Sequence, residues 1–381
     1  MRVLLTGSRS PATLELARRL HHDGHQIYVA DSVFWDVTAS SRSVVRRIRV
    51  SPVAFRPHDW IREIAAAVEQ YSIDLWIPVC EEVFYAAQLQ DRVSCHVFVA
   101  PFFLLKQLHN KWLFTQVATM NGTRAPESFA LWSDLDLSPF RAQSDEWVFK
   151  PMYSRFASET LISPTADQLD HVHPTADRGW VAQRCVQGRE LCSFSIALEG
   201  RLQAHVCYES VYRAGQGAGI YFVPQSHQTI RRYVAELLAE LKFTGMIGFD
   251  IIESEDGTLW PIEANPRATS GVYSLADDVD LLSVFTGERK DELNSHFRPS
   301  MVGFAMSTWG VFDAWKQGKL SQLPRDLLRA KEVIWRWTDP LPSVSVFLAI
   351  CEFSLVAWRH HLTLHQATTH DMEWNGEEVE D

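Results

Sequence analysis

The sequence predicts an α/β fold: a parallel doubly wound sheet at the N-terminus, then a series of short strands with one amphipathic helix, then a mostly helical extension. Two observations carry this. Apolar runs alternate with helix-period segments over roughly the first hundred residues, the signature of β-α-β units. From Trp147 onward, strand-like runs follow one another at turn signals, ending in an acidic hairpin near residue 256. A length of 381 residues suits two or three domains.

The elements follow in order. Val3-Leu-Leu-Thr-Gly7 reads as a buried strand, Pro11 to His22 as a helix stopped by Gly24, and Gln26 to Ala30 as a second strand ending at Asp31. A helix from Trp60 to Gln70 leads to the strand Leu75-Trp-Ile-Pro-Val79. Lys111 to Thr119 is helical, and Asn121-Gly122 ends it. Trp147 to Pro151, Val181 to Val186 and Leu191 to Leu198 are strands. Gln228 to Leu241 carries its apolar residues on one helical face.

Composition narrows the function classes. The 36 Lys and Arg against 47 Asp and Glu give a net charge of -11. Such a chain repels nucleic acid and anionic lipid unless it carries a local basic patch. Arg42, Arg46, Arg47 and Arg49 form one short basic run, read as a solvated face or strand edge. Six scattered cysteines without a Cys-x-x-Cys pair suit reduced thiols of a cytoplasmic protein. The N-terminus enters a strand without signal-peptide architecture. The longest apolar stretch, Val344 to Trp358, contains Glu352 and is short for a bilayer span; it reads as a buried helix, with a helix lying on a membrane surface as the lesser alternative. The 14 Trp and 21 Phe are assigned to core packing ahead of an apolar substrate, and the acidic tail from Asn375 to Asp381 to a frayed terminus.

The most informative segment runs from Gly248 to Arg267. With Asp256-Gly257 as a two-residue hairpin loop, Glu255 pairs with Thr258 and Asp250 lies opposite Glu263. Phe249, Ile251, Ile262 and Ala264 then share an apolar face, and Asp250, Glu263 and Asn265 the other. Like charges directly opposed on neighbouring strands are destabilising. Two readings follow: both acids face water at a sheet edge, or a hard divalent cation compensates them. Two carboxylates and an amide oxygen suit Mg²⁺, and Arg267, two residues on, adds a cation for an anionic substrate.

Glu263-Ala-Asn-Pro-Arg267 resembles the Glu-x-Asn-Pro-Arg signature of ATP-grasp enzymes, with Asp250 where that family's other metal-binding acid falls. Other parts occur in the expected order. Lys111 resembles the first phosphate- or adenine-proximal lysine. Val148-Phe-Lys-Pro151 resembles the strand carrying the second, so Lys150 is expected at the phosphates. Gln183-Arg-Cys-Val-Gln-Gly-Arg-Glu190 resembles the interlobe linker. There the resemblance implies adenine recognition by backbone groups of Arg184 and Val186, with Gln183 beside the amino group and Glu190 on the ribose hydroxyls. Ile77-Pro-Val-Cys-Glu-Glu82 resembles the substrate-side end of an N-terminal strand. Glu81 and Glu82 read equally well as the first turn of a helix. The segment Met152 to Ser158 lacks the glycines of the family's phosphate loop, leaving Ser154, Arg155 and Ser158 as donors.

The resemblance covers residues 1 to 275 and implies a layout. Residues 1–105 form a Rossmann-like domain, 106–180 the small lobe or lid, 181–300 the large lobe with the metal site Asp250, Glu263 and Asn265, and 301–381 a family-specific extension. It implies ATP and Mg²⁺ (with Mn²⁺ as a substitute). Lys150, Arg155 and Arg267 are the catalytic group, and a small-molecule carboxylate is activated as an acyl phosphate for attack by an amine. Neither nucleic acid nor a membrane is expected as a partner; a homodimer is allowed.

Other readings compete. An ATP-binding regulator on the same fold is the main alternative, encouraged by the missing loop glycines. A nicotinamide-dependent oxidoreductase is more remote: Gly7 and Asp31 suit it, but Gly7-Ser-Arg-Ser-Pro-Ala-Thr13 lacks the second and third fingerprint glycines. His361 and His365, or His171 and His173, have too few companions for zinc.

Overall fold

The computed structural model describes residues 1–120, 122–155, 159–215, 217–276, 280–288 and 298–380. Asn121 and Ser158, both used above, lie outside the described residues.

The first sheet is parallel and five-stranded, in the order Val44–Arg49, Gln26–Asp31, Arg2–Thr6, Leu75–Pro78, His96–Val97. Its helices form where the periodicity placed them. Pro11–His22 starts at Ser10, whose side chain accepts the Ala12 N–H, with proline at the first helical position. Pro57–Tyr71 buries Trp60, Ile61, Ile64 and Val68 on one face. The arginine run lies on the edge strand, as expected for charged residues that blunt an open edge.

A four-stranded antiparallel sheet follows, ordered Ser128–Leu131, Trp180–Arg184, Trp147–Pro151, Leu161–Ile162. The largest sheet has seven strands: Leu259–Asn265, Gly245–Glu253, Arg189–Leu198, Arg201–Ala214, Ala218–Gln225, Ser300–Met301 and Lys331–Glu332. The long strand Arg201–Ala214 and its neighbour Ala218–Gln225 escaped the sequence reading. Tyr, Ser, Glu and Arg interrupt their apolar alternation, and two bulges break their pairing. The helix Gln228–Glu240 packs Ile230, Val234, Leu237 and Leu238 into the core that also holds Ile247, Phe249 and Ile251 of the hairpin.

Two expectations for the C-terminal region are overturned. The apolar stretch is not a buried helix. It lies within the 20-residue helix Leu341–His360, about 30 Å long at 1.5 Å per residue. Only Pro342, Ser345, Ala349 and Phe353 are buried. Leu341 to Ser343, with Pro342 tolerated in the first turn, and Arg359 and His360 at the other end lengthen the run to a span-sized element, and by length and composition it could cross a membrane. Trp309, Trp315, Trp335, Trp337 and Trp358 are exposed, so core packing does not account for all the aromatic residues.

Nor is the tail frayed. Trp374 is fully buried, stacked on Phe84 at 4.6 Å and edge-on to Phe102 at 5.6 Å and Tyr153 at 5.2 Å. Lys106 pairs with Glu378 at 2.6 Å, and the Gln88 side chain accepts the Val379 N–H at 2.8 Å. Upstream, Arg9 bridges Asp31 and Asp371, and the Ala54 N–H donates to the Asp371 carbonyl at 3.0 Å. A single tryptophan filling a prepared aromatic slot outweighs the acidic composition around it. The Trp374→Ala variant is expected to lose about 3–5 kcal/mol of stability in urea denaturation, the cost of emptying a site of that size. A loss below about 1 kcal/mol would show that the tail is only loosely seated.

Candidate functional site

The acidic hairpin carries the site. Asp250 pairs with Glu263 and Phe249 with Ala264, as the sequence indicated. The route differs. The loop is not the two-residue turn. Ser254 N–H donates to the Thr258 carbonyl at 3.0 Å, Gly257 N–H donates to the Ser254 carbonyl at 2.8 Å, and Glu253 pairs with Leu259. Asp256 draws the loop in by accepting the Ser254 hydroxyl at 2.7 Å and the Thr258 N–H at 3.0 Å. A bulge between Asp250 and Ile251 then shifts the register by one and brings Asp250 back to Glu263. Pro261, not Ile262, therefore occupies the apolar face. Ile262 is half-buried, and its carbonyl accepts from Lys150 Nζ at 3.1 Å.

Two buried lysines face these acids. Lys150 Nζ also donates to Gln183 Oε1 at 3.0 Å, so it links the four-stranded sheet to the seven-stranded one. Burial brings its pKa down to about 8, while Glu263 pulls the other way. Lys111 heads the helix Lys111–Met120. Its Nζ donates to the Ser154 carbonyl at 3.0 Å and stands 3.6 Å from Glu263 Oε1. Its own N–H donates to the Met152 carbonyl at 3.1 Å, which ties the helix head to the loop after Lys150. Ser154 thus meets Lys111 through its backbone.

Burial, then the facing Glu263, push Asp250 up to about 6. Asn265 Nδ2 donates to Asp250 Oδ2 at 3.2 Å, and its Oδ1 accepts from Arg267 at 3.3 Å. Among the described residues no group of three or more His, Cys, Asp or Glu could hold a metal ion. A cation here would rest on two carboxylates and the Asn265 amide oxygen. That donor set fits Mg²⁺, which takes few protein oxygens and completes its shell with water and phosphate.

Behind Arg267 lies a contact that the sequence left undecided. Glu81 is fully buried between two guanidiniums: Arg267 Nε at 3.3 Å and Arg155 in an ion pair. The N–H of Trp374 approaches its other oxygen at 3.4 Å. Glu82 does different work. Its Oε1 accepts Thr6 Oγ1 at 2.7 Å and Val79 N–H at 2.9 Å, fastening adjacent strands at the head of the helix Glu82–Leu89. The helix-start reading thus holds for Glu82, while the Glu81 side chain caps no helix N–H and pairs with the two arginines.

The linker residues stand apart from the lysines except through Gln183. Arg184 is exposed. Its N–H donates to the Glu127 carbonyl at 2.8 Å, and its side chain pairs with Glu146 at 2.6 Å over the Trp147 ring. Val186 lines an open cleft with Pro126 and Trp260. Glu190 pairs with Arg213 Nη2 at 2.8 Å. Gly188 lies so close to the Glu253 carbonyl that a Cβ would clash, so the linker turn needs glycine there. A cavity of about 780 Å³ adjoins the site at Ser154 and Arg155. The tail residues Glu373 and Gly376 help to wall it, and it does not include Asp250, Glu263 or Lys150.

No family model and no curated protein matches this sequence. Solved structures match in three dimensions. An L-amino acid ligase from Bacillus licheniformis superposes with a TM-score of 0.61 over 78% of each chain, at 14% identity. An ADP complex of N5-carboxyaminoimidazole ribonucleotide synthetase gives 0.63 over 83% of this chain and 85% of its own, at 13% identity. The biotin carboxylase domain of a Hydrogenobacter thermophilus 2-oxoglutarate carboxylase, in complex with MgADP, gives 0.61 over 78% of this chain and 73% of its own, at 11% identity. The chain has the ATP-grasp fold. At these identities the likeness is one of fold.

Three members of this cluster had no sequence signal of their own. Arg213 sits in a strand that went unread. Trp374 and Glu373 sit just before the acidic segment Asn375 to Asp381, in no motif that marks them. Two outcomes follow from the charges. Asp250→Asn should stabilise the metal-free protein by about 1 kcal/mol in chelator-treated melts, because it removes one of two opposed carboxylates; a destabilised variant would mean that the acids do not repel. Glu81→Gln should cost about 3–5 kcal/mol in the same assay, since it removes the charge that pairs with the buried Arg155 and the half-buried Arg267.

Proposed function

We propose that this chain is an ADP-forming, Mg²⁺-dependent ligase that joins a small-molecule carboxylate to an amine. The observation that carries the reading is the opposed pair Asp250 and Glu263 within reach of the buried Lys111 and Lys150. Neighbouring structures whose names include an L-amino acid ligase and ADP and MgADP complexes support it.

The proposed reaction has two steps. A carboxylate oxygen attacks the γ-phosphorus of ATP, the bond to the β-phosphate oxygen breaks, and ADP leaves an acyl phosphate. The amine nitrogen then attacks the acyl carbon and loses a proton, and inorganic phosphate departs. Lys150 and Lys111 neutralise the phosphate oxygens, and an anion at Lys150 would hold its ammonium charged despite burial. Asp250, Glu263 and Asn265 would hold Mg²⁺, which would supply positive charge to offset that of the phosphates. Arg267 and Arg155, kept in place by Glu81, receive the acyl phosphate and the later oxyanion. Ser154 borders the phosphates. Adenine is read by the Arg184 carbonyl and the Val186 N–H, since the Arg184 N–H is already committed to Glu127. Gln183 lies beside the amino group and Glu190 by the ribose. The four-stranded sheet acts as the lid, and the cavity at Arg155 admits the substrates, where closure keeps the acyl phosphate from water.

The test is a substrate screen with carboxylates and amines that follows ADP release. Wild type should need Mg²⁺, stop in chelator and yield ADP and phosphate. Lys150→Ala and Arg267→Ala should each lower kcat by roughly 100-fold or more. Formation of AMP, or turnover indifferent to Mg²⁺, would end the proposal.

A further inference from the structure

The helix Leu341–His360 presents an uncovered apolar stripe. Leu341, Val344, Leu348, Cys351, Leu355 and Trp358 recur at alternating spacings of three and four, and all are exposed. The opposite face is seated on the protein: Ala349 and Phe353 pack with Val33 and Ala367. The stripe has neighbours. Phe347 meets Phe304 edge-on at 5.2 Å, which joins it to the helical segment 303–316 with its exposed Trp309, Phe312 and Trp315. Glu352 accepts the N–H groups of Phe34 and Trp35 at 2.8 Å each, and both rings are exposed. Trp335 and Trp337, 5.3 Å apart, adjoin Gly303 through Glu332, which accepts both the Gly303 and Trp335 N–H groups. Of the 25 large apolar side chains exposed among the described residues, 14 lie between 309 and 358. That concentration marks an interaction face.

Charge says what covers it. Every acid between residues 298 and 361 is engaged internally. Asp313 accepts the Arg213 N–H, Asp326 the Tyr212 hydroxyl, Glu332 the two N–H groups just named, Asp339 the Arg18 guanidinium, and Glu352 those of Phe34 and Trp35. Lys316, Lys319, Arg325, Arg329 and Arg359 make no ion pair among the described residues. The basic edge strand lies alongside. The Arg49 guanidinium stands 5.2 Å over the Phe34 ring, and the Arg42 N–H donates to Asp339 at 3.0 Å. Arg42, Arg46 and Arg49 are exposed. A protein of net charge -11 thus gathers apolar and cationic groups on one face. A second copy would set these cations against their own kind. Nucleic acid would leave the apolar stripe in water.

We propose that this face docks on the surface of an anionic phospholipid bilayer, with the helix Leu341–His360 lying in the headgroup plane. Tryptophans suit that interface, and lysine and arginine suit the anionic headgroups. The helix lies on the membrane and does not cross it, because its inner face and Glu352 are fastened to the protein. The inference is independent of the proposed reaction.

Sedimentation of the full chain with phosphatidylcholine vesicles, with and without phosphatidylserine, tests it, alongside tryptophan emission. Wild type should bind the phosphatidylserine vesicles about tenfold or more tightly than phosphatidylcholine alone, and added salt should release it. Leu355→Glu with Trp358→Glu, and separately Arg42→Glu with Arg46→Glu and Arg49→Glu, should each weaken binding about tenfold or more with an unchanged melting curve. Should one variant misfold, the other and the salt response of wild type still decide. Absence of binding, equal binding to neutral vesicles, or variants that bind like wild type would overturn the proposal. So would a dimer broken by the Leu355 and Trp358 changes without vesicle binding, which would make the occupant a second copy.

Discussion

Asp250 and Glu263 face each other across two hydrogen-bonded strands, and much of the surrounding structure is arranged around that unfavourable juxtaposition. Each acid would be more stable alone in water. The large sheet holds them together because Phe249 and Ala264, their immediate neighbours, are buried on its other face. Separating the acids would require a register slip, and a slip of one residue would turn Phe249 out of the core. Packing on one side of the sheet thereby sustains repulsion on the other. The cost is partly offset by Lys111 and Lys150, whose own burial depends on those negative charges.

The same logic extends outward through Arg267 to Glu81. Four charged groups (Glu81, Arg155, Arg267 and Asn265-linked Asp250) come from the first sheet's strand end, the loop after Lys150 and the hairpin, so all three sheets contribute to one electrostatic cluster. Neutralising a buried charge in any one of them disturbs the other two. That coupling favours a site assembled once, by the whole fold, over one carried by a single domain.

The sequence conveyed the local parts well. Pro11–His22 and Trp147–Pro151 were readable to the residue, because proline and apolar period marked their ends. The Asp250–Glu263 pairing was readable too, but through two compensating misjudgements: the loop is longer than the Asp-Gly pair suggests, and a bulge takes back the difference. A bulge depends on what the strand packs against, so no local pattern announces it. Lys150 was legible at the end of its strand, but its burial and its bond to the Ile262 carbonyl, over a hundred residues away, were not. The tail failed for the same reason. The acidity of residues 375 to 381 says disorder, and only the distant Lys106 and Gln88, with Trp374 anchored just upstream on Phe84, Phe102 and Tyr153, say otherwise. The helix Leu341–His360 failed in the opposite direction, since an apolar run cannot state whether a core is available to receive it.

The position of Trp374 also bears on how the chain is made. The slot it fills lies between helices Glu82–Leu89 and Phe102–His109, which leave the ribosome long before it does. Until residues 371 to 374 emerge, that slot is an open apolar hole, and Arg9 and Asp31 await Asp371. Vectorial synthesis therefore cannot complete the N-terminal sheet on its own. The segment from Asp371 to Trp374 acts as a lock on helices made much earlier, and until it is seated they expose a hydrophobic cavity that quality control can recognise.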